Sequence, residues 1–340
     1  MAAPIVPTKY QAKYGNPGGS KSGFTPLSPR ISDLQPVSNE ENFQRNSLRG
    51  YTTTELIDLD AHSSRQFKEG NLQNPIWEFM DRQRWELLDY PPIPLPGGGP
   101  NLTNGYWTAD NDIVWNIMTP ILRLASRVFS RLPLHPWFDA FLFGEFSLIP
   151  LERLPTDVSG VPANDGMRQQ FRCFKLREPR PGNAEQCAEY VQRLVDNVFS
   201  KCVRLGFKTK RRLPSKYLNE GYDDQLIEKL KSSNGLTILN YAPGTIDVWI
   251  SIESLEQLLD LNNDLNSGER LVLQYRMATI IIHEFLHVLF HASRRSYDFD
   301  NLTYNAGAMI EDFFDDEIVA ELGWSGENAV SSGTCTKIAA

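Results

Sequence analysis

A chain of 340 residues with a net charge of −8 is long enough to bury a sizeable core, and acidic enough to disfavour nonspecific contact with nucleic acid or anionic membranes. Its apolar fraction of 41% and charged fraction of 22% are ordinary for a globular protein. No apolar run reaches the roughly twenty residues that a bilayer span needs.

The N-terminal MAAPIVPTKY has prolines where a secretory signal requires an unbroken apolar stretch, so a cytoplasmic protein is expected. Residues 1–50 are rich in Pro, Gly, Ser and Asn without apolar periodicity, which predicts a disordered tail. Residues 51–100 are expected to form a helical extension followed by a linker. In the extension Trp77, Met80 or Asp81, Trp85 and Leu88 recur at helical spacing after Pro75, and PPIPLPGGGP at 91–100 breaks the pattern. The main domain is expected over 101–335.

Within it, Asp110 to Arg131 predicts a helix capped by Asp110 or Asn111, with Ile113, Ile117, Ile121, Leu124 and Val128 on its apolar face and a kink at Pro120. The aromatic-dense Leu134 to Leu151 reads as core. His135, before Pro136 and with no partner at ligand spacing, reads as structural. Alternation over Met167 to Arg177 predicts a strand, and Asn183 to Leu205 a long helix ended by Gly206. If Cys187 and Cys202 share that helix, a rise of 1.5 Å per residue parts them by about 22 Å, too far for a disulfide.

The basic run Lys208-Thr209-Lys210-Arg211-Arg212 reads as a solvated loop. Leu236 to Tyr241 and Thr245 to Ile252 are two β-rich runs joined by Ala-Pro-Gly. Ser251 or Ser254 can cap a short helix after them, and Ser267 can cap the next long one.

That long helix carries Met277 to Ser293, MATIIIHEFLHVLFHAS. It contains the pattern His-Glu-x-x-His as His283, Glu284 and His287. Four residues advance a helix by just over one turn, so both imidazoles project from one face and can converge on one cation. Glu284 falls beside them, where a carboxylate can take a proton from a metal-bound water as it attacks a carbonyl carbon. Ile280, Ile281, Ile282, Phe285, Leu286, Val288, Leu289 and Phe290 make the helix apolar nearly all round. Histidine and glutamate are costly in such a setting unless paired or bound to metal. The plainer alternative is a buried helix whose histidines only hydrogen-bond to neighbours.

This helix resembles the active-site helix of the zincin metallopeptidases. The resemblance implies a mostly helical α+β catalytic domain with a small sheet packed on the motif helix. It also implies Zn2+ as cofactor, a peptide or protein substrate, and hydrolysis of an amide bond with Glu284 as general base. A strand just upstream, Ile246 to Ile252, would line the cleft if it is an edge strand, though those residues suit a central strand equally. A zincin-fold enzyme acting on a small molecule, or a non-catalytic metal-binding protein, are the alternative functions.

A catalytic zinc takes three protein ligands. His291 lies about 12 Å along the helix from His283, so the three histidines cannot share one ion; it reads as a residue that supports a ligand, contacts substrate or packs in the core. The metzincin continuation is absent, since Phe290 and Ser293 stand where it needs Gly and His. Glu311 to Gly323 reads as a following helix ended by Gly323, with Glu317 and Glu321 four residues apart on one face. This resembles the gluzincin arrangement, which implies Glu317 as third ligand and Glu321 as the carboxylate that orients a ligand histidine; the reverse assignment stays open. Asp298 and Asp300 are further candidates for the ligand.

Overall fold

The computed structural model describes residues 72–89, 91–95, 104–150, 170–178, 182–214, 217, 224–240, 244–259, 265, 267–293, 311–315 and 321–331. The expected tail at 1–50 therefore lies outside the described residues. Of the described residues, 72–256 and 274–331 belong to one compact unit and 257–273 to a second. The main unit is α+β and mostly helical, with two small sheets.

Residues 72–95, expected to stand apart as an extension, belong to the main unit and supply Phe79, Met80, Trp85 and Leu95 to its core. They form no continuous helix. Two 3-10 turns, Glu78–Met80 and Arg82–Arg84, replace it, because the Arg84 side chain reaches across to the Phe199 and Val203 carbonyls and Trp85 stacks on Phe207. Long-range partners override the local helical spacing here.

Helix α1 (Asp112–Phe129) starts where Asn111 accepts a 3.0 Å bond from the Ile113 amide and continues through Pro120. Its buried stripe is Val114, Met118, Ile121, Leu122, Ala125 and Phe129. The predicted face is thus rotated: Ile113 is 42% exposed. Helix α2 (Pro136–Phe143) is capped by His135, whose Nδ1 accepts from the Trp137 amide at 3.2 Å. Trp137, Phe138 and Phe141 are core, as the aromatic density predicts, while Phe143 stays exposed.

Strands β1 (Phe146–Pro150) and β2 (Gln170–Phe174) pair antiparallel, and the two-residue β6 (Phe313–Phe314) adds in parallel to β2. Helix α3 (Asn183–Leu194) runs into a π-turn at Val195–Phe199 and ends at Cys202, shorter than expected. The chain there becomes β3 (Val203–Lys208), because the expected stop residue, Gly206, is needed inside a strand. A Cβ on Gly206 would lie 2.4 Å from that of Leu87, which bridges to this strand. Cys173, Cys187 and Cys202 are free, buried thiols.

Lys208 is fully buried, so the basic run begins in the interior and not in a solvated loop. Its Nζ donates to the Leu230 and Ser233 carbonyls, closing the C-terminus of α4 (Asp224–Ser232). Strands β4 (Gly235–Asn240) and β5 (Thr245–Ser251) follow, with sheet order β3-β5-β4. β5 is therefore the central strand, parallel to β3 and antiparallel to β4. Its buried Asp247 is held by Arg204 at 2.7 Å. After α5 (Ile252–Leu259) comes α6 (Ser267–Ser293), the helix of the His-Glu-x-x-His pattern, and finally α7 (Leu322–Ser331).

A buried aromatic cluster packs around Phe285 of α6. Phe285 meets Phe79 edge-on with centroids 4.5 Å apart, and Phe129 at 5.7 Å. No helix among the described residues is long and apolar enough to cross a membrane.

Candidate metal centre

Helix α6 presents His283 and His287 on one face, and their Nε2 atoms lie 3.1 Å apart. The Oε1 atom of Glu321 closes a triangle with them, 3.1 Å from His283 Nε2 and 2.8 Å from His287 Nε2. Among the described residues this is the one group of His, Cys, Asp or Glu whose ligand atoms gather closely, all within 4.8 Å of one another. Tetrahedral zinc with bonds of about 2.0–2.1 Å spaces its ligand atoms about 3.3 Å apart. The observed edges are slightly shorter and nearly equal, so this donor set of two imidazoles and a carboxylate fits a zinc ion.

Glu321 reaches this position from the start of α7. Its Oε2 accepts the Trp324 amide at 2.6 Å, capping the helix and leaving Oε1 for the histidines. The expected helix over 311–323 is thus corrected: Phe313–Phe314 is a strand paired with β2, and α7 begins at Leu322, so Gly323 lies at the helix start and not at its end. Glu317, the preferred ligand on sequence grounds, lies outside the described residues, as do Asp298 and Asp300. His291 lies farther along α6, with its ring against Phe290 and outside the cluster.

Each histidine has a second carboxylate at its other nitrogen. Glu327, 5% exposed, lies 2.9 Å from His283 Nδ1. Glu311 meets His287 Nδ1 through Oε1 and accepts the Leu322 amide through Oε2 at 2.7 Å. A carboxylate at Nδ1 fixes the tautomer that leaves Nε2 free to ligate. Sequence reasoning named neither residue for the site: Glu311 stands beside Asp312, Asp315 and Asp316, where nothing local marks one carboxylate over another, and Glu327 follows Gly323, where the expected helix ends.

Electrostatics follow from burial among acids. Burial works against a charged His283, but the carboxylates of Glu321 and Glu327 prevail and hold it protonated up to about 10. His287 is raised well above the usual histidine value against the same desolvation, by Glu311 and Glu321. Glu321 loses to desolvation in part, yet the two histidines keep it well below the usual carboxylate range. A dication bound here would replace those imidazolium protons without changing the sign of the charge that the cluster requires.

Glu284, the residue after His283, turns its side chain toward β4. It is 4% exposed; Oε2 accepts the Thr237 hydroxyl at 2.8 Å, and the side chain lies against Gly235, where a Cβ would come within 2.5 Å of Oε1. Burial raises its pKa, opposed by the charges of His283 and His287. The strand beside the motif glutamate is therefore β4, not the Ile246 to Ile252 segment, which is central in its sheet. Among the described residues β4 pairs with no strand other than β5. A separate cavity of about 430 Å³, lined by Leu124, Arg127, Val128, Arg131, Leu132 and His135, contains none of these groups.

Comparison with known proteins finds no matching family model, curated protein or solved structure.

Proposed function

We propose that the chain is a zinc-dependent hydrolase of the zincin type that cleaves peptide bonds. The observation that carries this reading is the convergence of His283 Nε2, His287 Nε2 and Glu321 Oε1 on one point, with Glu284 adjacent on the same helix. These three residues would hold zinc, Glu321 taking the ligand role that the sequence left between it and Glu317. Zinc supplies Lewis acidity, polarising a substrate carbonyl and acidifying water toward a pKa of about 7.

Glu284 then has two tasks. As a buried carboxylate with a raised pKa it accepts a proton from the attacking water, and it returns that proton to the departing amine. Thr237 and Gly235 hold it in place for both steps, the hydroxyl by donating and the glycine by leaving room. The outer edge of β4 gives an extended peptide a row of main-chain partners beside this carboxylate.

The test is metal analysis of the purified full chain together with cleavage of a mixed peptide library. Zinc is expected in the wild type and in Glu284→Gln, and none in His287→Ala. Cleavage should fall by about a thousandfold in Glu284→Gln. A wild type without zinc, or undiminished cleavage by Glu284→Gln, overturns the reading.

A further inference from the structure

We infer that Glu311 is a positioning residue that couples zinc binding at His287 to the docking of α7. The inference rests on the zinc reading of the His283, His287 and Glu321 cluster. Its basis is a closed ring of contacts. One oxygen of Glu311 meets His287 Nδ1 and the other accepts the Leu322 amide at 2.7 Å. Leu322 directly follows Glu321, whose own carboxylate returns to His287 Nε2 at 2.8 Å. One side chain therefore orients a ligand ring and at the same time satisfies one of the orphan amides at the start of the helix that delivers another ligand.

The two tasks share a single rigid carboxylate, which is what links them. An imidazole ligates through Nε2 only when its proton sits on Nδ1, so Glu311 must accept there. A dication on Nε2 makes the Nδ1 proton a stronger donor, tightens that bond, and holds Glu311 in the place where it clamps Leu322. Conversely, withdrawal of the first turn of α7 removes the partner of Oε2 and frees the carboxylate to turn away from the ring. Linkage of this kind is reciprocal.

Glu311 is braced from behind. The next residue, Asp312, is 3% exposed and lies 3.6 Å from Arg172, and Phe313 and Phe314 are in register with Cys173 and Phe174 of β2. The carboxylate is thus a strut between the β1-β2-β6 sheet and the metal cluster. Glu327 differs: it meets His283 through Oε1, while its Oε2 is buried with no hydrogen-bond partner among the described residues, so it orients a ring without a comparable hold on the described backbone.

Glu311→Gln isolates the effect because it keeps the shape. The amide has a single acceptor oxygen, which can serve Leu322 or His287 but not both; serving Leu322 turns an NH2 toward Nδ1 and drives the ring proton onto Nε2. Zinc affinity, measured by competition with a chelator, is expected to fall by about tenfold to a hundredfold. The zinc-induced rise in melting temperature should shrink accordingly, and the visible spectrum of the cobalt-loaded protein should change. The zinc-free melting temperature should fall as well, because Glu311 helps to hold His287 charged in the absence of metal, so the zinc increment is the deciding readout. A merely structural role would lower the zinc-free melting temperature and leave the zinc increment intact.

The wild type gives a check that needs no variant: hydrogen exchange at the Leu322 amide and along 322–331 should slow by about tenfold or more when zinc is added. Exchange that ignores zinc, or a Glu311→Gln protein that binds zinc as tightly as the wild type while His287→Ala does not, overturns this inference and leaves the hydrolase reading standing. A wild type that takes up no zinc overturns both.

Discussion

Gly323 rests directly against the imidazole of His283: a β-carbon at this position would lie 2.5 Å from both Cε1 and Nδ1 of the ring. Gly323 has no positive φ, so its glycine is required by the ring and not by the backbone. Gly323→Ala should therefore push His283 out of line and weaken zinc binding by about tenfold or more, the scale on which groups that support a ligand act. The displaced ring also loses its contacts with Glu321 and Glu327 in the zinc-free protein, a loss that a gain in helix propensity of up to about 1 kcal/mol only partly offsets, so the zinc-free chain should be less stable too. Chelator competition and urea unfolding of the zinc-free chain measure the two effects; wild-type zinc affinity in Gly323→Ala would mean that the ring tolerates the methyl group.

What the sequence reveals of this centre divides by range. The spacing of His283 and His287 is local information, and a helix translates it directly into a shared face. The third carboxylate is not local. Phe313, Phe314, Ile318 and Leu322 spaced around Glu317 and Glu321 look like one amphipathic helix, yet Phe313 and Phe314 pair with β2 and α7 starts at Leu322. Pairing with a strand some 140 residues away in sequence decides that, and no window of local periodicity contains it. For the same reason α1 was legible as a helix with an Asn111 cap but not in its buried face. Apolar residues lie on more than one side of it, and the neighbours choose Val114, Met118 and Phe129 over Ile113. The β4 and β5 runs were legible because each is β-branched and bounded by turn residues; which of them is central depends on β3, read as part of a helix.

Thr237→Val removes the hydroxyl that donates to Glu284 at 2.8 Å while keeping the shape of the side chain. A hydrogen bond to a charged group contributes about 1.5–3 kcal/mol, and its loss leaves the carboxylate free to leave the position from which it exchanges protons. Peptide cleavage should fall by roughly tenfold or more with zinc content unchanged. Turnover on the mixed library, normalised to bound metal, checks this; a proportional loss of metal would instead assign Thr237 to folding of the cluster.

Arg177 and Asp139 make a two-pronged pair, Nε to Oδ2 at 2.7 Å and Nη2 to Oδ1 at 2.8 Å, with Asp139 only 5% exposed. The pair joins the segment after β2 to α2. Arg177→Met would strand a buried carboxylate, a loss of roughly 3 kcal/mol after allowing for the partial exposure of the arginine. Urea unfolding at constant pH measures it. The double variant Arg177→Met with Asp139→Asn should recover part of the stability, because the cost lies chiefly in the uncompensated charge.

Lys208 supplies the pH dependence. Its Nζ is enclosed between the Leu230 carbonyl at 2.8 Å and the Ser233 carbonyl at 2.6 Å, and burial, with Lys210 adding to it, pushes its pKa down to about 8 from an ordinary 10.5. A cation whose native pKa is lowered disfavours the fold wherever it is charged in both states. The penalty is therefore present in full below about pH 8, shrinks as pH rises from 8 toward 10.5, and is gone above, where both states are neutral. Taken alone it makes stability increase with pH across that window, by about 3 kcal/mol at most. Lys208→Met abolishes the titration and also deletes two hydrogen bonds, whose loss offsets the relief by an amount that varies little with pH. The wild type minus variant difference in unfolding free energy should thus grow in the wild type's favour between pH 7.5 and 10. A difference that stays flat across that range would mean that Nζ keeps an ordinary pKa and that the C-terminus of α4 is held in some other way.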